Sequence, residues 1–186
     1  MIDHLESQNP QMDVRTVYFY FDYKEQSLQT PLNVVNCLLR RVLSLGPRIP
    51  TAATGLCRRL KEKNSLPGWE DLVQTLVNIC QELRNVMLIF DALDESDEDT
   101  NREGILRLLD HLNNSSTRLF VTSRSHCLDI NLTFRGCPQV KIEATEADIQ
   151  KFVAQRISES RRLSNIIQGA LFEEVVKSVV ENSQGM

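Results

Sequence analysis

Three acids in five residues stand at the end of the most apolar short run in the chain, Val86 to Glu95 (VMLIFDALDE). The run ends at Asp91, and Asp94 and Glu95 follow in the expected turn. Ligands of parallel sheets bind at the carboxyl ends of strands, so Asp91 should face a ligand crevice. A carboxylate there is a hard oxygen donor, suited to holding Mg²⁺ on the phosphates of a nucleotide, usually through water. A second acid one turn on could orient or deprotonate an attacking water. The plain alternative is that strands of α/β proteins often end in Asp as a turn or capping residue. A second apolar stretch, Leu119 to Val121, runs into Thr122, Ser123 and Arg124. Arg124 could reach a terminal phosphate, or could be an ordinary surface arginine.

Other acidic sites fail on spacing. A phosphotransferase of the haloacid dehalogenase kind needs Asp where Leu93 stands. An aspartic protease needs Thr or Ser and then Gly where Ala92 and Leu93 stand. A calcium loop begun at Asp94 needs Gly at its sixth position and Glu at its twelfth, which are Asp99 and Ile105.

These groups need a frame to hold them. Val86 to Phe90 has no polar alternation, as expected of a strand covered on both faces between helices. Thr16 to Tyr23 (TVYFYFDY) is β-branched and aromatic and reads as a strand, as do Arg118 to Thr122 and Gln139 to Ile142. Between the strands lie helical patterns. Thr30-Pro31 opens one that runs to about Leu45, with a stripe of Leu32, Val35, Leu38, Leu39 and Val42. A short helix is expected near Leu56 to Lys63, a strongly periodic one over Trp69 to Leu83, and another over Arg102 to Leu112. Thr145 with Asp148 resembles a capping box and opens a helix with Ile149, Phe152, Val153 and Ile157 on its stripe. A last helix covers Ala170 to about Val180. Met1 to Ser7 reads as the tail of a helix. The alternation implies an α/β fold with a mainly parallel sheet flanked by helices.

The 186 residues carry a net charge of -4, which argues against nucleic acid or an anionic membrane as the main partner. The basic pairs Arg40-Arg41 and Arg58-Arg59 fall within helical patterns and read as solvated faces. The cysteine count, five, is odd and no C-x-x-C occurs, so a reducing compartment is expected. His126, Cys127 and Cys137 lack an evident fourth ligand for zinc. No apolar run reaches membrane-spanning length and no export signal is seen, so the sequons at Asn113, Asn114 and Asn131 read as chance matches.

DALDE, TSR, the opening YFYFDYKEQSLQTP and the later IEATEADIQKFV together resemble the NACHT domains of STAND signalling P-loop NTPases. They are most similar to the nephrocystin-like nucleotide-binding domain common in fungal proteins that also carry ankyrin or other repeats. The resemblance implies Asp91 as the Walker B acid that holds Mg²⁺ through water, Asp94 and Glu95 as hydrolytic acids, and Arg124 as the γ-phosphate sensor, with Thr122 and Ser123 beside the nucleotide. It also implies a cytoplasmic switch, closed with ADP and opened by ATP or GTP for self-assembly or contact with other protein domains, in immunity or cell death.

The family's G-x-x-x-x-G-K-[ST] loop does not occur in these residues. Since the family places it just before a helix like Met1 to Ser7, the chain is expected to start just after it. Residues 1–144 are then a partial nucleotide-binding core and 145–186 the start of a helical lid. No tight nucleotide binding is expected of these residues alone. The alternative is a scaffold deficient in nucleotide binding that acts only through protein contacts.

Overall fold

The computed structural model describes residues 15–115 and 117–183, so the expected helix at Met1 to Ser7 lies outside the described residues. Contacts divide the chain into two compact units, one up to Gly136 and one from Cys137.

Among the described residues the first unit is built on a parallel sheet of three strands, β1 (Arg15–Tyr20), β2 (Val86–Asp91) and β3 (Arg118–Val121), in the order β1-β2-β3. β2 is central, which explains its unbroken apolar run. Leu88, Ile89 and Phe90 are all fully buried. The register pairs Val17 with Leu88 and Phe19 with Phe90 on one side. On the other it pairs Leu88 with Leu119 and Phe90 with Val121. Since side chains alternate along a strand, one face of the sheet carries Val17, Phe19, Leu88, Phe90, Leu119 and Val121 into the main core. The opposite face carries Tyr18, Ile89 and Phe120.

The helices of this unit are α1 (Pro31–Leu43), α2 (Thr51–Lys63), α3 (Trp69–Leu83), α4 (Arg102–Asn114) and α5 (Leu128–Thr133). α1 starts where its cap predicts: the Thr30 hydroxyl accepts the Asn33 N–H at 3.2 Å, and Pro31 takes the first turn. Its buried stripe is Val34, Val35, Leu38, Leu39 and Val42, while Leu32 is exposed. α2 begins at Thr51, earlier than expected. Its N-cap, Pro50, offers no side-chain acceptor. The Glu82 carboxylate of α3 takes its place, accepting the N–H groups of Thr51 and Ala52, each at 2.8 Å. α4 lies close against α1. A methyl group on Gly104 would come within 2.6 Å of Pro31 Cγ, which accounts for glycine inside a helix.

Arg41 is not on a solvated face. It donates to the Tyr18 carbonyl at 2.7 Å and its guanidinium lies 4.1 Å from the centre of the Tyr18 ring. Among the described strands β1 lies at the edge of the sheet, and this side chain covers one of its outward backbone acceptors.

The second unit holds α6 (Glu146–Glu159), α7 (Arg161–Ile166) and α8 (Ala170–Ser183). The capping box at its start is present: Thr145 Oγ1 accepts the Asp148 N–H at 3.2 Å, and Asp148 Oδ2 accepts the Thr145 N–H at 3.0 Å. Val153, Ile157 and Val176 form its small core. Phe152, expected on that stripe, is largely exposed beneath the Arg156 guanidinium.

One expected strand is not seen among the described residues. Gln139 to Ile142 belongs to no sheet among the described residues, and Val140 and Ile142 are more than four-fifths exposed. Alternating side chains make a segment strand-compatible, but a strand exists only where a neighbour takes its backbone groups.

Candidate functional site

The parallel register delivers both polar motifs to the same end of the sheet. Tyr20 is level with Asp91, and Phe90 is level with Val121, so Thr122 follows one step beyond. Thr122 stays tied to β2, its N–H donating to the Phe90 carbonyl at 2.9 Å and its own carbonyl accepting the Leu93 N–H at 2.9 Å. Its hydroxyl donates to Asp91 Oδ1 at 2.5 Å and accepts the Ala92 N–H at 2.9 Å. One hydroxyl thus orients the carboxylate and satisfies the first amide of the turn.

That turn is sharp. Ala92 is left-handed, with φ 55° and ψ 47°, and a short 3-10 turn over Leu93–Glu95 follows at once. Leu93 is fully buried and anchors the turn in the core. The left-handed residue reverses the chain so that Asp94 returns towards β3. There Asp94 Oδ1 accepts the Arg124 N–H at 3.1 Å, and Oδ2 lies 3.4 Å from Arg124 Nε. The Asp94 side chain is 8% exposed and that of Arg124 70%. The acid is therefore held, and the guanidinium projects to solvent from it.

Glu95 turns to another neighbour. Its carboxylate accepts the Tyr23 N–H at 3.2 Å, and its carbonyl accepts from Gln26 Nε2 at 2.8 Å. Glu95 thereby ties the loop after β1 to the loop after β2. Ser123 is exposed, and its hydroxyl donates only locally, to the Arg124 carbonyl at 3.3 Å. Of the six residues singled out, then, the fold joins Asp91 with Thr122 and Asp94 with Arg124. Glu95 and Ser123 make other contacts.

A residue that sequence reasoning passed over completes the site. Arg102, at the first position of α4, is 5% exposed. Its Nε donates to Ser96 Oγ at 3.1 Å, and its Nη2 donates to the carbonyls of Asp94 at 2.7 Å and Ser96 at 2.6 Å. Its Nη1 lies 3.4 Å from Glu98 and 3.6 Å from Asp129. One signal was available. A cation in the first turn of a helix opposes the helix dipole, so its placement there calls for a separate partner. Cys127 lies close by, and burial, then the negative charge of Asp94, holds its thiol above the ordinary value.

The donor set bears on metal binding. Among the described residues no group of three His, Cys, Asp or Glu side chains is placed to hold a metal. Among the described residues only Oδ1 of Asp91 takes a hydrogen bond, and Oδ2 takes none. A single oriented carboxylate fits Mg²⁺ that keeps several waters and takes its other ligands from phosphate oxygens. Asp91 would hold it and Thr122 would fix the carboxylate's orientation. The ion's contribution when bound would be to neutralise phosphate charge. A hollow lined by Arg84, Asn85, Thr117 and Arg118, among others, lies at the opposite end of β2 and β3 and contains none of these groups.

No described helix is long and apolar enough to cross a membrane. No curated protein and no solved structure matches the chain. The family model described as nephrocystin 3, N-terminal, matches residues 1–124, a span that includes β1, β2, β3 and every residue of the candidate site from Asp91 to Arg124. The chain belongs to the nephrocystin 3 N-terminal family.

Proposed function

We propose that this chain contributes the magnesium-binding and phosphate-sensing half of a nucleotide site in a NACHT-type signalling NTPase. One observation carries the reading. Parallel register sets Asp91 beside Thr122, and Asp94 beside Arg124, at the carboxyl ends of adjacent strands, where α/β folds bind ligands. In this reading Asp91 holds Mg²⁺ through water on ATP or GTP. Thr122 keeps the carboxylate aimed, and Arg124 swings from Asp94 to the terminal phosphate. Asp94, released from that pair, is the acid that can take a proton from water. Exchange of nucleotide would then switch contacts with other protein domains or with further copies of the chain, in a cytoplasmic signalling role.

A specific observation favours the second reading, a scaffold that acts through protein contacts alone. Both Asp94 oxygens are engaged by Arg124, and these residues carry no glycine-rich phosphate loop. The loop's N–H groups and lysine supply most of the phosphate binding in such sites. Calorimetric titration of Mg·ATP and Mg·GTP into the 186-residue chain is expected to show no binding tighter than about millimolar, near -4 kcal/mol. In a form of the protein that carries such a loop, submicromolar to micromolar binding that Asp91→Asn weakens by tenfold or more supports the switch. Magnesium-dependent binding unaffected by Asp91→Asn refutes the assignment, and no binding at all supports the scaffold.

A further inference from the structure

We infer that Arg102 is the positioning residue that holds the acid turn after β2 and the Arg124 loop after β3 in register with each other. The inference rests on the reading of Asp94 and Arg124 as parts of one site, though its mechanics need no nucleotide. The guanidinium has two working edges. One edge, Nε and Nη2, binds the Ser96 hydroxyl and the carbonyls of Asp94 and Ser96, all on the acid turn. The other, Nη1, faces Asp129 in the first turn of α5, just past the Arg124 loop, and Glu98. Ser96 is fully buried, and its hydroxyl also donates to the Leu93 carbonyl at 2.7 Å. The underside of the turn therefore depends on Arg102 for its acceptors.

A buried arginine is costly unless every donor is used. Here all three nitrogens are occupied, by groups of the acid turn and its loop and by Asp129 at the start of α5, which follows the Arg124 loop. The planar fork fixes angles as well as distances, which a lysine ammonium cannot do. Above the fork, the Asp94 carboxylate grips the Arg124 N–H. The backbone of Asp94 is thus held from below by Arg102 while its side chain sets Arg124 from above. The candidate proton acceptor and the candidate phosphate sensor share one foundation, which is neither of them.

Amide hydrogen exchange of the 186-residue chain, without nucleotide, tests this. In Arg102→Met, amides of residues 92–97 and 122–127 should exchange at least about tenfold faster, from the loss of charged hydrogen bonds, while those of α3 keep their rates. Arg102→Lys should fail to restore protection, because the charge remains but the fork does not. Arg107→Met, on the exposed face of the same helix, should change neither window. Should Arg102→Met fold too poorly to read, Asp129→Asn removes only the second anchor. It should speed exchange of residues 122–127 by about three- to fivefold and leave 92–97 protected. Uniform loosening that includes α3, full rescue by lysine, or an unchanged 122–127 window in Asp129→Asn each overturns the inference. None of these results depends on nucleotide binding, so the inference can fail while the proposed function stands, and the reverse.

Discussion

Thr122→Val is the most informative single change at the strand tips. Valine keeps the shape and removes the hydroxyl, and with it two bonds. The first is the 2.5 Å donation to Asp91 Oδ1. Hydrogen bonds to charged groups contribute about 1.5–3 kcal/mol. The second is the 2.9 Å bond from the Ala92 N–H, and a buried donor left without a partner costs about 1–3 kcal/mol. Asp91 and Ala92 are only half buried, so water replaces part of both losses. A destabilisation of about 2 kcal/mol is expected. With a urea slope of about 2 kcal/mol per molar, the unfolding midpoint should fall by about 1 M. The only tryptophan, Trp69, begins α3 within the same unit as the sheet, so its fluorescence and the circular dichroism together follow the transition. Thr122→Ser keeps the hydroxyl and should remain within about 1 kcal/mol of the parent. The reasoning is refuted if valine shifts stability by less than about 0.5 kcal/mol, or if serine is as damaging as valine. The hydroxyl would then be a bystander, and Asp91 would owe its orientation to something else.

Two further changes probe the supports of the site. Ala92→Gly should stabilise the chain by about 0.5–1 kcal/mol, because an L-residue pays for the left-handed backbone that Ala92 adopts. A lower urea midpoint would show that the methyl group matters more than the strain. Glu82→Gln should cost about 0.5–1 kcal/mol at pH 7, the low end for a lost helix cap because the carboxylate is exposed. Hydrogen bonds, that from the Thr51 hydroxyl foremost, hold the Glu82 carboxyl below its ordinary range. A lowered folded-state pKa means that the stabilisation is complete above the unfolded value of about 4.3. It drains away as the pH falls through the folded value. The gap between parent and variant should therefore be wide at pH 7 and close below about pH 4, as read by thermal melts across that range. A gap that widens in acid would contradict the assignment.

Local features of the chain were legible wherever local physics decides them. The cap at Thr30-Pro31 and the capping box at Thr145 work over three residues, and both are present as expected. The apolar run of Val86 to Phe90 suits a strand covered on both faces, and it sits between β1 and β3 in the sheet. The expectation that Asp91 ends such a strand follows from the same run. Failures came where a partner from elsewhere decides. Gln139 to Ile142 has the alternation of a strand but joins no sheet among the described residues. Arg41 looked like a solvated charge until β1 supplied a carbonyl and a ring for it.

By itself, then, the sequence determined the α/β class, the places of the three strands and of the longer helices along the chain, and the presence of acids and an arginine at two strand ends, while it offered a fourth strand and passed over the short helices at Leu128–Thr133 and Arg161–Ile166. Periodicity and capping are short-range, so they are written in adjacent residues. Only the tertiary structure decided that Thr122 serves Asp91 across thirty-one positions, that Asp94 is spent on Arg124, that Glu95 serves the β1 loop, and that Arg102 lies buried beneath them all. Each of those depends on strand register and on which buried acceptor is left without water, and neither quantity exists until distant segments have been brought together.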